Sequence, residues 1–146
     1  MLRVATDGSS LGNPGPGGWA WVTEDGQEDW AGARNSTNNR MELRAVIEAL
    51  ESLSSGELTI VTDSEYVVNV FTQWLEGWRS RGMRTSRGKP VENQDLIERA
   101  ARLLGTRDVE FEWVRGHAGH PLNERADKLA NDAARRAQLR LSQRPS

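Results

Sequence analysis

Two short apolar runs each end in an aspartate, and this repeated arrangement constrains the chain more than any other feature. Leu58-Thr59-Ile60-Val61 is apolar and β-branched enough for a buried strand, and Thr62-Asp63-Ser64-Glu65 follows it. Leu2-Arg3-Val4-Ala5-Thr6 runs into Asp7-Gly8-Ser9 in the same way. Two such strands, parallel, adjacent and about 4.8 Å apart, bring both carboxylates to one sheet edge, where they can share a site. Open α/β sheets bind ligands outside the carboxyl ends of their strands. Carboxylates that close repel each other unless positive charge lies between them.

The segments between the aspartates say what kind of sheet this is. Trp19 to Val22 and Gln27 to Ala33 read as strands, and Thr23-Glu24-Asp25-Gly26 between them carries the Asp-Gly hairpin signal. The expected sheet is therefore mixed, with three antiparallel strands first and parallel ones after. Leu11 to Gly18 is rich in glycine and proline but matches neither the dinucleotide fingerprint nor the P-loop, so it is a connection. The capping cluster Asn35-Ser36-Thr37-Asn38-Asn39 starts a helix to about Ser52, whose stripe is Leu43, Val46, Ile47, Leu50 and Leu53. Glu42 leans towards that apolar stripe. An acid near a helix N-terminus is often only a favourable dipole placement. The capping cluster and the two strand-end aspartates favour a functional role for this one.

Ser54-Ser55-Gly56 ends that helix, and Ser64 caps a short one to about Phe71. A second helical stretch holds Trp74, Leu75 and Trp78. After it, Arg79 to Lys89 carries five positive charges (Arg79, Arg81, Arg84, Arg87, Lys89) and no negative one, in a chain of net charge −2. A one-signed, arginine-rich run beside tryptophans suits phosphate contact better than it suits a merely solvated face. Asn93 to Leu104 reads as a helix. Asp108 to Val114 reads as a half-solvated strand with Val109, Phe111 and Trp113 inward. Arg115 to His120 is a loop. Pro121 opens a last helix whose packing face is Leu122, Ala126, Leu129, Ala130, Ala133 and Ala137, with Asp127 beside it. The expected organisation is one domain over residues 1–137 and a loose tail from Gln138 to Ser146.

Asp7, Glu42, Asp63 and Asp127 thus have separate reasons to be unusual. An all-oxygen set suits a hard cation, Mg²⁺ or Mn²⁺. Two such ions can hold the attacking and leaving oxygens of a phosphoryl displacement. His117, on a glycine-flanked loop, can carry protons near neutral pH. Two histidines and no cysteine are too few soft donors for a zinc site. The absence of cysteine and of an apolar run of about 20 residues fits a cytoplasmic protein without a membrane span. The strand at the very start leaves no room for a signal peptide.

Taken together, five motifs are similar to those of the bacterial type 1 ribonucleases H. They are Thr6-Asp7-Gly8-Ser9, Asn38 to Leu43, Thr62-Asp63-Ser64 with Tyr66-Val67, Gly116 to Pro121, and Asn123 to Asp127. The resemblance spans nearly the whole chain, in order. It implies an α/β fold, a mixed five-stranded sheet with helices on both faces. It implies an endoribonuclease that hydrolyses the RNA strand of RNA–DNA hybrids, leaving 5′-phosphate and 3′-hydroxyl ends, with two Mg²⁺ ions when substrate is bound. A monomer is expected, with the hybrid as partner.

By the same resemblance, Asp7, Glu42, Asp63 and Asp127 are the metal ligands, His117 is a mobile loop histidine, and Glu124 assists metal or water. Asn13, Asn38, Asn39 and Glu65 fall where the hybrid's minor groove is gripped, and Thr37 and Asn93 where a DNA-strand phosphate is held. Trp74, Trp78, Arg79, Arg81 and Arg84 belong to a handle on the DNA strand. The chain departs from the pattern in carrying Glu65 where glutamine is common and Met83 where an aromatic is usual. Its Arg34 also precedes Asn35, where the family's arginine stands one place later. The rival readings are another nuclease on the same fold, a hybrid-binding module without catalysis, and a metal-stabilised structural domain.

Overall fold

Parallel pairing of the two aspartate-ended runs is what the computed structural model shows; it describes residues 1–53 and 56–143. Strand β1 (Leu2–Ser10) pairs in parallel with β4 (Leu58–Thr62), and Ala5 lies opposite Val61. Each of these residues precedes its aspartate by two, so one register brings Asp7 and Asp63 to the same edge. Strands β2 (Gly15–Thr23) and β3 (Glu28–Ser36) add the antiparallel part, and β5 (Val109–Trp113) extends the parallel part. The order across the five-stranded sheet is β3-β2-β1-β4-β5. β2 and β3 are longer than the alternation of apolar residues predicts, because Gly15 to Gly18 and Arg34 to Ser36 pair as strand without contributing large apolar side chains.

The pleat of the sheet sends alternate residues to two layers of helix. Val4, Leu58 and Ile60 face α1 (Asn38–Ser52), which buries Met41, Ala45, Val46, Ala49 and Leu50 on that side. Ala5, Ala20, Val22 and Val61 face α5 (Pro121–Ser142), which buries Ala126, Leu129 and Ala130 there. Thr37 caps α1, its hydroxyl accepting from the backbone N–H of Arg40 at 3.2 Å. The expected stop at Ser54-Ser55-Gly56 lies partly outside the described residues, at Ser54 and Ser55. On the outer side of α1, Leu43 and Ile47 pack against Leu96, Ile97 and Ala100 of α4 (Gln94–Leu104).

Two helical boundaries differ from expectation. α5 does not stop at Ala137: it continues to Ser142, so the first part of the expected loose tail is helical, and residues 144–146 lie outside the described ones. The two stretches after Ser64 are one continuous run: α2 (Glu65–Asn69), a π turn (Val70–Trp74) and α3 (Leu75–Ser80). A π turn holds one residue more than an α turn. Tyr66 and Trp74, eight apart in sequence, therefore stand as if seven apart, on one face. Their rings meet edge to face with centroids 6.3 Å apart, and Trp78 continues the stripe at 5.7 Å from Trp74. Among the described residues no helix is long and apolar enough to cross a membrane.

Candidate active site

Asp7 is buried within β1, just past the stretch paired with β4, and Asp63, half-buried, follows β4. Glu42 reaches them from the second turn of α1. Gly8 makes that possible, because a Cβ there would lie 2.3 Å from the backbone nitrogen of Glu42. Only glycine lets the helix backbone come this close to the strand. One carboxylate oxygen from each of Asp7, Glu42 and Asp63 lies within 4.8 Å of the others. Gly18 does the corresponding work for α5, where an added Cβ would lie 2.3 Å from the carbonyl oxygen of Ala130. That close seat brings the half-buried Asp127 alongside, near enough to act on Asp7, Glu42 and Asp63. The expected set of four is thus a tight group of three with Asp127, on the helix of the opposite sheet face, at its side.

The electrostatics of the group are those of charges crowded in a dry place. Burial first, and then the negative charge of Glu42, push the Asp7 carboxyl far above the usual range. Burial also raises Glu42 and Asp63, with the neighbouring carboxylates adding to the rise. Oε2 of Glu42 is buried without a hydrogen-bond partner. An oxygen-only group whose members raise one another's pKa, with an orphaned acceptor inside, is a donor set that fits a hard divalent cation.

The comparisons with known proteins agree with this geometry. Residues 1–135 match the RNase H family. The chain is 52% identical over 135 residues to the ribonuclease H of Halorhodospira halophila, covering 90% of this chain and 91% of that one. It is 50% identical over 137 residues to that of Pseudoalteromonas atlantica, covering 91% and 90%. Among solved structures, LC9-RNase H1, described as a type 1 RNase H with the type 2 active-site motif, matches with a TM-score of 0.81. Its identity is 36%, over 93% of this chain and 72% of that one.

The chain belongs to the ribonuclease H family. As a bacterial ribonuclease H it is an endoribonuclease acting on the RNA strand of RNA–DNA hybrids, and it depends on metal.

Around the carboxylates of this ribonuclease H, three residues that sequence reasoning left without a role shape the site. Asn123, buried in the first turn of α5, directs Nδ2 at Oδ2 of Asp63 at 3.5 Å. Trp113 was expected inward, yet it is exposed, and its indole N–H donates to the Asp63 carbonyl at 3.1 Å. Gly116 passes so close that a Cβ would lie 2.8 Å from Asp63 Oδ2. Gly116 and Asn123 both lie within motifs already singled out, and of the two the amide of Asn123 is the more readable signal; Trp113 lies in none. His117 follows with a left-handed backbone, φ 58°, exposed, and near enough for its charge to favour ionised Asp63. Glu124 is exposed on the first turn of α5.

The other expected residues fall into two places. Asn13, Thr37, Asn39 and Asn93, with Glu92, line a cavity of about 440 Å³ beside the start of α1. Asn38 holds that corner together, its Oδ1 accepting from the Ser10 N–H at 2.8 Å. Glu65 is exposed at the start of α2. Trp74 and Trp78 line a second cavity, of about 290 Å³, with Tyr66, Thr85, Lys89, Pro90, Val91 and Glu92. Arg79 is exposed in the last turn of α3, and Arg81 and Arg84 are exposed in the basic loop that follows it. Met83, standing where an aromatic is usual, is buried against the α1–α4 layer and anchors that loop. Arg34 faces elsewhere, lining a groove with Ala137, Arg140 and Leu141.

Proposed function

We propose that Asp7, Glu42, Asp63 and Asp127 hold two Mg²⁺ ions and that the enzyme cuts the RNA strand to leave 5′-phosphate and 3′-hydroxyl ends. The observation that carries this reading is the group of three carboxylates within 4.8 Å, at the sheet edge of a ribonuclease H. Divalent ions bound there would activate the attacking water and steady the departing 3′-oxygen. The carboxylates supply the negative charge, which burial leaves without water to soften it. Asn123 and Gly116 keep Asp63 in place, the one by its amide N–H and the other by leaving it room. His117, on the loop facing Asp63, accepts and passes on a proton, and Glu124 assists at the loop's exit.

The hybrid is read on the neighbouring surfaces. Asn13, Asn38, Asn39 and Glu65 take the minor groove, where a 2′-hydroxyl both donates and accepts. Thr37 and Asn93 take a phosphate of the DNA strand. Trp74, Trp78 and the arginines of the basic loop take that strand further along. Action as a cytoplasmic monomer belongs to the same proposal and is checked by sedimentation and cell fractionation. The test of function is cleavage of an end-labelled hybrid with and without Mg²⁺, beside duplex DNA and duplex RNA. Mg²⁺-dependent loss of the RNA strand only in the hybrid is expected. Equal cutting of duplex DNA removes the reading.

A further inference from the structure

The cavity beside the start of α1 has a polarity that its residue types alone do not dictate. Asparagine and threonine side chains can each donate or accept, so Asn13, Thr37 and Asn93 could present either sense to a ligand. In the fold the oxygen of each already accepts a hydrogen bond that sets which way the group stands. Oδ1 of Asn13 accepts from the backbone N–H of Asn38 at 3.1 Å, and Oγ1 of Thr37 from that of Arg40 at 3.2 Å. Oδ1 of Asn93 accepts from Nη1 of Arg40 at 3.3 Å. A backbone N–H and a guanidinium only donate, so they decide which way the amides stand. What remains for the cavity is the amide N–H groups of Asn13, the hydroxyl proton of Thr37 and an N–H of Asn93, whose nitrogen also bonds the Tyr66 hydroxyl at 3.1 Å. On this side of the cavity, away from the Glu92 carboxylate, the three side chains therefore turn donors to a ligand, which suits an anion.

Two of these orientations come from backbone that the α1 cap fixes in any case. That of Asn93 depends on one side chain. Asp95 holds the Arg40 guanidinium with two bonds, at 3.0 and 2.8 Å. Asp95 is exposed and Arg40 half-buried, and a pair so open to solvent adds little to stability. Its consequence is local: without Arg40, the amide of Asn93 is free to turn its oxygen to the cavity. The rim already carries Glu92, so a second acceptor there would oppose an anion strongly.

We propose that Arg40 is a positioning residue, holding the Asn93 amide with its N–H towards the cavity so that the cavity takes a phosphodiester of the DNA strand. The proposal rests on the hybrid reading above. Asn35, where an arginine would have put a cation near this corner, leaves the cavity with neutral donors, and their orientation then decides its preference.

The test compares Arg40→Met, which removes the donor, with Arg40→Lys, which keeps a donor-only group. Inorganic phosphate is titrated into each ¹⁵N-labelled protein while the side-chain amide signals of Asn13 and Asn93 are followed. Phosphate should shift both signals in the wild type and in Arg40→Lys, and in Arg40→Met that of Asn93 should no longer respond. With hybrid, Arg40→Met should raise KM roughly 5–10-fold, the value of one hydrogen bond, and change kcat less than about twofold. A neutral methylphosphonate at one DNA-strand position should raise KM in the wild type and in Arg40→Lys but add nothing in Arg40→Met. An undiminished phosphate response and methylphosphonate penalty in Arg40→Met would overturn the proposal, as would Arg40→Lys behaving like Arg40→Met. A wild type that cuts no hybrid would instead remove the functional reading, while the phosphate titration still decides the role of Arg40.

Discussion

The carboxylate group and the basic loop are built by opposite rules. The carboxylates gather at the sheet edge, Asp7 and Glu42 buried and Asp63 and Asp127 half-buried, on strands and helices whose approach depends on single glycines. The basic segment from Arg79, in the last turn of α3, to Lys89 is largely exposed and is tied down mainly by Met83 and the nearby Val91, which are buried against the α1–α4 layer. Its own hydrogen bonds are local, with Arg81 donating to the Arg84 carbonyl and Arg84 to that of Gly88. In the first region the like charges raise one another's pKa, and geometry is everything. In the second the charges are screened and each acts nearly alone. Chemistry should therefore fail abruptly when the first is altered, and affinity should fade by degrees when the second is.

The sharpest break is Asp63→Asn. It removes charge from the group without changing shape, and Mg²⁺-dependent cleavage should fall to the detection limit while the circular dichroism spectrum stays native. Activity within a few-fold of wild type would mean that the three carboxylates are together for another reason. Next is His117→Ala. The imidazole is exposed on its loop and not a member of the group, so turnover should fall about 10²-fold, the low end for acid–base help. Mn²⁺ binding followed by calorimetry should be unaffected. Lost metal affinity would make His117 a ligand, against the proposal.

A smaller effect is expected from replacing Arg79, Arg81 and Arg84 together by Ala. Contacts to phosphate exist before and during the reaction, so KM should rise about tenfold or more and kcat should move little. If all three meet phosphates, the slope of log K against log[salt] should shrink by about 2–3 units. The carbonyl bonds of Arg81 and Arg84 are no obstacle, since a guanidinium has donors left over. A slope changed by only one unit would assign those two to the shape of the loop and leave Arg79 as the contact.

The same division explains what the sequence made legible. The aspartates announced themselves through strand ends, and a register with Ala5 opposite Val61 is the simplest pairing of two similar runs. Glu42 was readable as an acid leaning towards an apolar stripe. The glycines that seat the helices were not, because Gly8 and Gly18 look like any glycine until a helix backbone is placed against them. Trp113 misled for a related reason: alternation put it inward, but at the last position of β5 its indole N–H finds the Asp63 carbonyl instead. The π turn was likewise invisible, since it needs the rings of Tyr66, Trp74 and Trp78 in space to show why one residue more is accommodated. The anion preference of the Asn13–Thr37–Asn93 corner lies in hydrogen bonds from α1 across to the start of α4, and no local pattern encodes it.

The smallest expected effect concerns stability, and its sign separates the two regions best. In the metal-free protein Asp7 has its pKa raised by burial and by Glu42. Above about pH 4, the ordinary carboxylate value, the unfolded chain gives up the Asp7 proton while the native protein holds it. The native state then binds more protons than the unfolded one, so stability falls as pH rises from there. Asp7→Asn removes that titration. Without metal it should melt higher than wild type at neutral pH, by on the order of 3–8 °C, with the difference disappearing below about pH 4. Removing the exposed arginines of the basic loop should shift the melting temperature by less, because exposed charges contribute little. Excess Mg²⁺ should reverse the order for Asp7→Asn, since a ligand that binds only the native wild type stabilises it. A variant less stable than wild type at pH 7 without metal would show that the crowded carboxylates are not the burden their geometry makes them.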